Sequence, residues 1–269
     1  MPSAFWVHNL SPFLIRFSEN FGIRYYGLSY LAGFVAAGWL LHRYHQAGRS
    51  PLELNAIFDL MTWLIAGVII GGRLGYFVLY QSEAFLRDPW ALARVWEGGM
   101  SSHGGMFGVG VALWWYTRKR AIGFLATNDL IVTTAPLGLL FGRLANFING
   151  ELWGNPTRVP WAVIFPASPP PLMPRHPSQL YEAVLEGVVL FALMQWRFWK
   201  SPAAKQPGRI TGEFLVAYTV ARAVCETYRE PDAALILGLS RGTFYSLFLL
   251  AVGLALIAFA GRQNSERKA

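Results

Sequence analysis

Asn55-Ala-Ile-Phe-Asp59-Leu-Met-Thr-Trp-Leu-Ile-Ala-Gly-Val-Ile-Ile-Gly-Gly-Arg73-Leu-Gly-Tyr76-Phe-Val-Leu-Tyr80 is the stretch on which the fold turns. It carries two charges, Asp59 and Arg73, in a run longer than the about 20 largely apolar residues a bilayer-crossing helix needs. It reads as a membrane span. The same criterion gives further spans at 22–41, 103–117, 129–148, 178–199, 212–229 and 242–261. Pro136 and Gly138 interrupt the 129–148 run, which membrane helices tolerate because neighbours satisfy the freed backbone groups. The expectation is an all-α integral membrane protein. About seven transmembrane helices form one polytopic domain over 1–269, with irregular connections at about 81–102 and 149–177 and a short strand within Trp161–Phe165.

Composition supports the span reading. Charged residues make up 14% of the 269, against roughly 25% in soluble domains. The hydrophobic set reaches 54%, which excludes disorder and leaves too little polar surface for an ordinary soluble enzyme. Cys225 is the single cysteine, so no intramolecular disulfide and no cysteine-built metal site can form. G-x-S-x-G and H-E-x-x-H patterns are missing, which leaves a serine elbow and a zinc protease unsupported. The first residues lack the basic region, apolar run and cleavage site of a signal peptide, so the first span is expected to act as an uncleaved anchor.

The net charge of +8 has a direction. All lysines, with Arg43, Arg49, Arg118, Arg120, Arg197, Arg209 and Arg262, fall on one side of the spans. The positive-inside rule makes that side cytoplasmic and explains the basic balance without nucleic acid. The N-terminus is then outside and the C-terminus inside. Trp114-Trp115-Tyr116 and Trp196–Trp199 read as interfacial belts at the cytoplasmic ends of their spans. Gly72-Arg73-Leu74-Gly75-Tyr76 weakly echoes Gly142-Arg143-Leu144-Ala145-Asn146.

Charges within a bilayer are costly, so each is a functional candidate. Span direction converts them into depths. Arg24, Tyr26, Arg73, Tyr76, His103, Arg143, Asn146, Gln179, Glu182, Arg222 and Glu226 all fall in the outer half, which predicts one polar cavity opening outward. Arg143, Asn146 and Gly150 share one helix face, Tyr218, Arg222, Glu226 and Arg229 another, and Gln179, Glu182 and Glu186 a third. A guanidinium at that depth either pairs with a carboxylate so that it can be buried, or binds an anion through its planar fork. Arg73, Arg143 and Arg222 at one depth, with Asn and Tyr interleaved, favour an anion site suited to a lipid phosphate. His103 opens a span before two glycines and reads either as a proton-transfer group or as a plain polar cap. His8, His42 and His45 look peripheral. His176 reads as a turn residue ahead of the fifth span, with Ser178 as its N-cap. Cys225 reads as a small buried hydrophobe.

Two segments carry a family resemblance. Gly142-Arg-Leu-Ala-Asn146-Phe-Ile-Asn149-Gly-Glu151-Leu-Trp-Gly154 resembles the signature of the prolipoprotein diacylglyceryl transferases. Arg175-His-Pro-Ser-Gln179-Leu-Tyr-Glu182-Ala-Val-Leu-Glu186-Gly187 resembles a second motif of that family, and His103-Gly104-Gly105-Met106 and the Tyr218, Arg222, Glu226 stripe match as well. Ala145 stands where many members have glycine. The resemblance implies a multi-pass enzyme of the bacterial inner membrane. Such an enzyme moves the diacylglyceryl group of phosphatidylglycerol to the cysteine thiol of a preprolipoprotein signal peptide and releases glycerol phosphate. It implies no metal and no cofactor, with the lipid bilayer as surroundings. Catalytic roles fall to His103, Arg143 and Arg222. Substrate contacts fall to Tyr26, Arg73, Tyr76, Asn146, Asn149, Glu151, Gly154, Gln179, Glu182, Tyr218, Glu226 and Arg229. The rival reading, a transporter or flippase for an anionic lipid or solute, needs polar residues in the inner halves too, and these are mostly apolar.

Overall fold

The computed structural model describes residues 5–19, 21–94, 99–231 and 236–266, without the side chains of 79, 80, 84, 85, 102, 103 and 241. Helix covers each of the apolar stretches, one of them broken in two. The chain runs through α1 (Tyr25–Gln46), α2 (Leu54–Tyr80), α3 (Ser82–Arg87), α4 (Ser102–Lys119), α5 (Phe124–Val132), α6 (Ala135–Asn149), α7 (Ser178–Glu182), a π-helical stretch (Ala183–Val189), α8 (Leu190–Lys200), α9 (Arg209–Glu226) and α10 (Arg241–Glu266). Among the described residues, Leu54–Val78 and Gly242–Glu266 are each long and apolar enough to cross a bilayer, and α5 with α6 adds a third if the bent pair is one span. The protein is thus mostly helical, with membrane-type helices. Two units divide it: residues 38–128, and residues 1–37 with 129–269.

In the 38–128 unit, α2 and α4 meet backbone to backbone. Gly67, Gly71 and Gly75 recur every fourth residue on α2 and face Gly104, Gly108 and Ala112 of α4. A Cβ on Gly75 would lie 2.6 Å from the Gly104 Cα, and one on Gly71 would lie 2.7 Å from the Gly108 Cα. Hydrocarbon surroundings give apolar side chains no drive to associate, so small residues that allow close approach do the packing. Ser101 caps α4, its hydroxyl accepting from the Gly104 N–H at 3.2 Å. Trp114 and Trp115 are exposed as a belt requires, but Tyr116 is buried and donates to the Ala56 carbonyl at 2.8 Å.

In the other unit, β1 (Trp6–Val7) runs parallel to β4 (Val163–Ile164), which pairs antiparallel with β5 (Pro174–Arg175). The expected strand near 161–165 is therefore present. A hairpin joins β2 (Phe13–Arg16) to β3 (Gly22–Arg24), so Arg24 lies in a strand, over the Phe13 ring, and not within the first helix. His8 is not peripheral. It is buried among Trp6, Phe147 and Phe165, with Nε2 2.8 Å from the Phe147 carbonyl oxygen at the end of α6. Gly150 ends α6 at φ +66°, and a Cβ there would meet the His8 ring at 3.0 Å.

The fourth stretch departs from the expectation of one helix. It breaks at Thr133-Thr134, and Pro136 falls in the first turn of α6, where a missing N–H breaks no helical bond. The freed Thr133 carbonyl accepts from the Gln195 side chain at 3.1 Å. The start of α9 is held from a distance. Asp129, buried, accepts from the Gly208 N–H (2.7 Å), the Thr211 N–H (2.7 Å) and the Thr211 hydroxyl (2.6 Å). It supplies the capping acceptor that Gly208 cannot. Ser178 does not cap α7 either. It is the helix's first residue, and its hydroxyl donates to the Leu152 carbonyl at 3.0 Å.

Candidate active site

Three arginines and three glutamates meet among α6, α7, the π-helical stretch and α9. Arg143 reaches Glu186 Oε2 through Nε (3.2 Å) and Nη2 (3.1 Å), and Glu182 Oε2 through Nη1 (3.1 Å). Arg222 sends Nη1 to Glu182 Oε1 (2.5 Å) and Glu186 Oε1 (3.4 Å), and Nη2 to Glu226 Oε2 (2.8 Å). Arg229, just past α9, donates to Glu182 Oε1 at 3.0 Å. Glu182 and Glu186 are fully buried; Arg143 at 16% and Glu226 at 12% side-chain exposure keep the most surface. Tyr218 lies within electrostatic range of Arg143, Glu182, Glu186 and Arg222. Gly242, at the start of α10, leaves room for the cluster: a Cβ there would lie 2.8 Å from Arg222 Nη2 and 3.2 Å from Glu226 Oε2. No charge or motif in the sequence marks this glycine, and helical spacing puts Glu186 on the face of Glu182 without assigning it a role.

Amide groups form a second patch beside this one. Glu151 Oε1 accepts from Asn146 Nδ2 at 2.8 Å and Asn149 Nδ2 at 3.2 Å, and its carbonyl accepts from Gln179 Nε2 at 2.5 Å. Tyr26 lies in electrostatic range of Glu151 and Arg143 and packs edge-on against Tyr30. Gly154 has a packing role. It pairs with Arg229 as an isolated bridge, and a Cβ on it would lie 2.7 Å from the His176 carbonyl oxygen. Arg175 and Trp153 close this crossing by donating to Glu230 Oε2, at 2.5 Å and 2.8 Å. His176 stands ahead of α7 as a turn residue, with Nδ1 3.0 Å from the Tyr181 hydroxyl, which accepts from Trp161. Partial burial pushes the His176 imidazole below its ordinary pKa.

The remaining candidates belong to the 38–128 unit. Arg73 is buried, and its fork donates to main-chain carbonyls: Nη2 to Ala91 (2.6 Å) and Arg94 (2.7 Å), Nη1 to Gly99 (3.1 Å) and Nε to Leu92 (3.3 Å). These contacts tie Ala91, Leu92, Arg94 and Gly99 to α2. Arg94 in turn pairs with Asp88 at 2.6 Å, a hydrogen bond that holds the exposed Asp88 carboxyl below the usual carboxylate range. The Tyr76 ring lies beside Phe77 and fills the space a side chain on Gly99 would need. His103 stands in the first turn of α4, and its side chain lies outside the described residues.

The buried cluster is a costly way to hold helices together. Buried ion pairs lose much of their Coulomb gain to desolvation, and well-packed apolar residues often serve stability as well or better. Planar forks gathered at one point in an otherwise apolar helix set suit a charged substrate group. Among the described residues no group of three or more His, Cys, Asp or Glu could hold a metal ion. The sequence model described as prolipoprotein diacylglyceryl transferase matches residues 12–259. The chain belongs to that family. Relatives agree along most of their length, and each bears the name phosphatidylglycerol–prolipoprotein diacylglyceryl transferase. The protein of Pseudoalteromonas atlantica is 46% identical, over 90% of this chain and 86% of the relative. That of Ruegeria pomeroyi is 43% identical, over 91% and 94%. That of Rhodospirillum rubrum is 44% identical, over 94% and 93%. Both motifs of the prolipoprotein diacylglyceryl transferase resemblance supply the cluster, Arg143 from one and Glu182 and Glu186 from the other.

Proposed function

We propose that this membrane protein transfers the diacylglyceryl group of phosphatidylglycerol to the cysteine thiol of a preprolipoprotein signal peptide. The product is a thioether, and glycerol phosphate leaves. The observation that carries the reading is the Arg143–Glu182–Glu186–Arg222 cluster, built from the family's own motifs and buried among membrane-type helices. Substrate thiolate attacks the glycerol carbon that bears the phosphate ester. Negative charge then grows on the departing phosphate, where preorganised guanidinium donors stabilise it. Arg143 and Arg222 fill that role. Glu226 holds the Arg222 fork, and Asn146, Asn149, Glu151, Gln179 and Tyr26 orient the headgroup. Glu182, Tyr218 and Arg229 keep the cluster in register, and Gly154 keeps the strands beside it close. Arg73 and Tyr76 serve by holding the main chain of Ala91, Leu92, Arg94 and Gly99 against α2. Thiol activation falls to a base, for which His103 is the sequence's candidate, or to the positive field of the two arginines.

The surroundings follow the same reading. Seven spans enclose a cavity open to the outer side in one polytopic domain of the bacterial inner membrane, N-terminus periplasmic and C-terminus cytoplasmic, as the one-sided lysines require. Purified protein incubated with labelled phosphatidylglycerol and a peptide carrying a lipidation-site cysteine is expected to yield labelled thioether and free glycerol phosphate. Failure of both to appear with folded protein refutes the reading.

A further inference from the structure

The transfer creates a proton that must go somewhere. The S–H bond breaks and an S–C bond forms, while the C–O bond to the phosphate ester opens with its electron pair leaving on the phosphate. The phosphate thereby turns from a singly charged diester into a monoester with a second negative charge. One proton and one negative charge appear together, in a site where Glu182 and Glu186 are fully buried.

The cluster contains a group suited to the proton. Its three guanidinium and three carboxylate charges cancel in the resting arrangement. When Arg143 and Arg222 turn to a phosphate, the three carboxylates are left unequally. Glu182 keeps Arg229 at 3.0 Å. Glu226 keeps some exposure, at 12%. Glu186 is fully buried, and its ion pairs among the described residues are those to Arg143 and Arg222 alone. A buried carboxylate stripped of its cations relieves the uncompensated charge by taking up a proton. Glu182 shares both arginines with it, and Tyr218 and Cys225 lie within its electrostatic range. Tyrosine and cysteine are protonated at neutral pH as isolated side chains, so neither competes as an acceptor. Glu186 also sits on the π-helical stretch Ala183–Val189, a backbone form found frequently at functional sites.

We propose that Glu186 is the catalytic base: it accepts the proton of the substrate thiol as Arg143 and Arg222 leave it for the phosphate. The total charge of the site then stays constant, because the phosphate gains a negative charge as Glu186 loses one. The inference rests on the diacylglyceryl-transfer reading, and its test separates the two.

Turnover is measured with phosphatidylglycerol and paired peptides carrying cysteine or selenocysteine, whose selenol is already ionised at neutral pH. Wild-type protein that makes no thioether removes the underlying reading and this proposal with it. With an active wild type, Glu186→Gln is expected to lower thiol turnover by about 10²-fold, the usual worth of a general base. Selenol turnover stays near wild type. Equal losses on both peptides, or undiminished thiol turnover, overturn the proposal. If the Gln variant does not accumulate, Glu186→Asp decides, because the ratio of selenol to thiol rates is independent of protein yield. Its shorter carboxylate is expected to raise that ratio, and an unchanged ratio overturns the proposal. The same ratio in His103→Gln is expected to match wild type, and a rise there assigns the proton to His103 instead.

Discussion

The helix pair of residues 38–128 and the helices around Arg143 bury their centres in opposite ways. Where α2 meets α4, main chain and a methyl meet at the centre: Gly67, Gly71 and Gly75 against Gly104, Gly108 and Ala112. Where α6 meets α7, the π-helical stretch and α9, the centre holds six charged groups. The first arrangement gains close van der Waals contact and offers no chemistry. The second carries a heavy desolvation penalty and offers donors, acceptors and a place for a proton. The difference separates scaffold from reaction centre before any substrate is considered.

Substitutions can break that contrast. The largest effect is expected from Arg222→Ala, which strips a cation from Glu182, Glu186 and Glu226 at once. Turnover is expected to vanish, with a stability loss of about 3–5 kcal/mol measured by thermal denaturation in detergent. Adding Glu186→Gln should restore part of the stability and none of the turnover. An Arg222→Ala protein as stable as wild type would show that the charges do not hold this unit. Arg143→Lys comes next. It keeps the charge and loses the fork, so turnover is expected to fall about 10²-fold while the protein accumulates normally. Near-normal rates would remove the phosphate role of Arg143.

Gly108→Leu tests the other side of the contrast. Its side chain would meet the Gly67 carbonyl carbon and the Gly71 Cα, each 2.9 Å from a Cβ at that position. Stability is expected to drop by roughly 1–3 kcal/mol, with the rate per folded molecule kept. Unchanged melting would mean the seam is looser than its geometry requires. The smallest effect is expected from Cys225→Ala, which removes one buried sulfur beside the charged face. Turnover should persist and survive thiol-blocking reagents, with a stability change of ~1 kcal/mol. A folded but inactive protein would point to a covalent enzyme intermediate.

Much of this contrast is legible in the sequence because charge in an apolar run is conspicuous. Arg143, Glu182, Arg222 and Glu226 announce themselves as charges in apolar runs and by helical spacing. Their partners do not. Helical phase places Glu186 on the face of Glu182, yet a π-helical stretch has no residue signature, and which arginine a carboxylate meets depends on how separate helices pack. Asp129 capping α9 is a long-range hydrogen bond, invisible to the local patterns by which caps are read. Arg73 shows the reverse failure. A guanidinium at the right depth looks like a phosphate ligand until its donors are found on the carbonyls of Ala91, Leu92, Arg94 and Gly99. The 129–148 run misleads because membrane helices tolerate an interior proline as well as one in the first turn, so Pro136 alone does not mark the break at Thr133-Thr134.

The spacing of the charged cluster along the chain sets an order on synthesis. Arg143 emerges 43 residues ahead of Glu186, and Glu182 emerges 40 residues ahead of Arg222. For that interval α6 carries a guanidinium without its final partners, and afterwards Glu182 and Glu186 have Arg143 but still lack Arg222 and, for Glu182, Arg229. The charges become mutually neutral when α9 and Arg229 just past it arrive, late in the chain. Assembly of the reaction centre therefore waits for α9 and the residues after it, and a ribosome stalled before Arg222 would leave a nascent chain holding uncancelled charge.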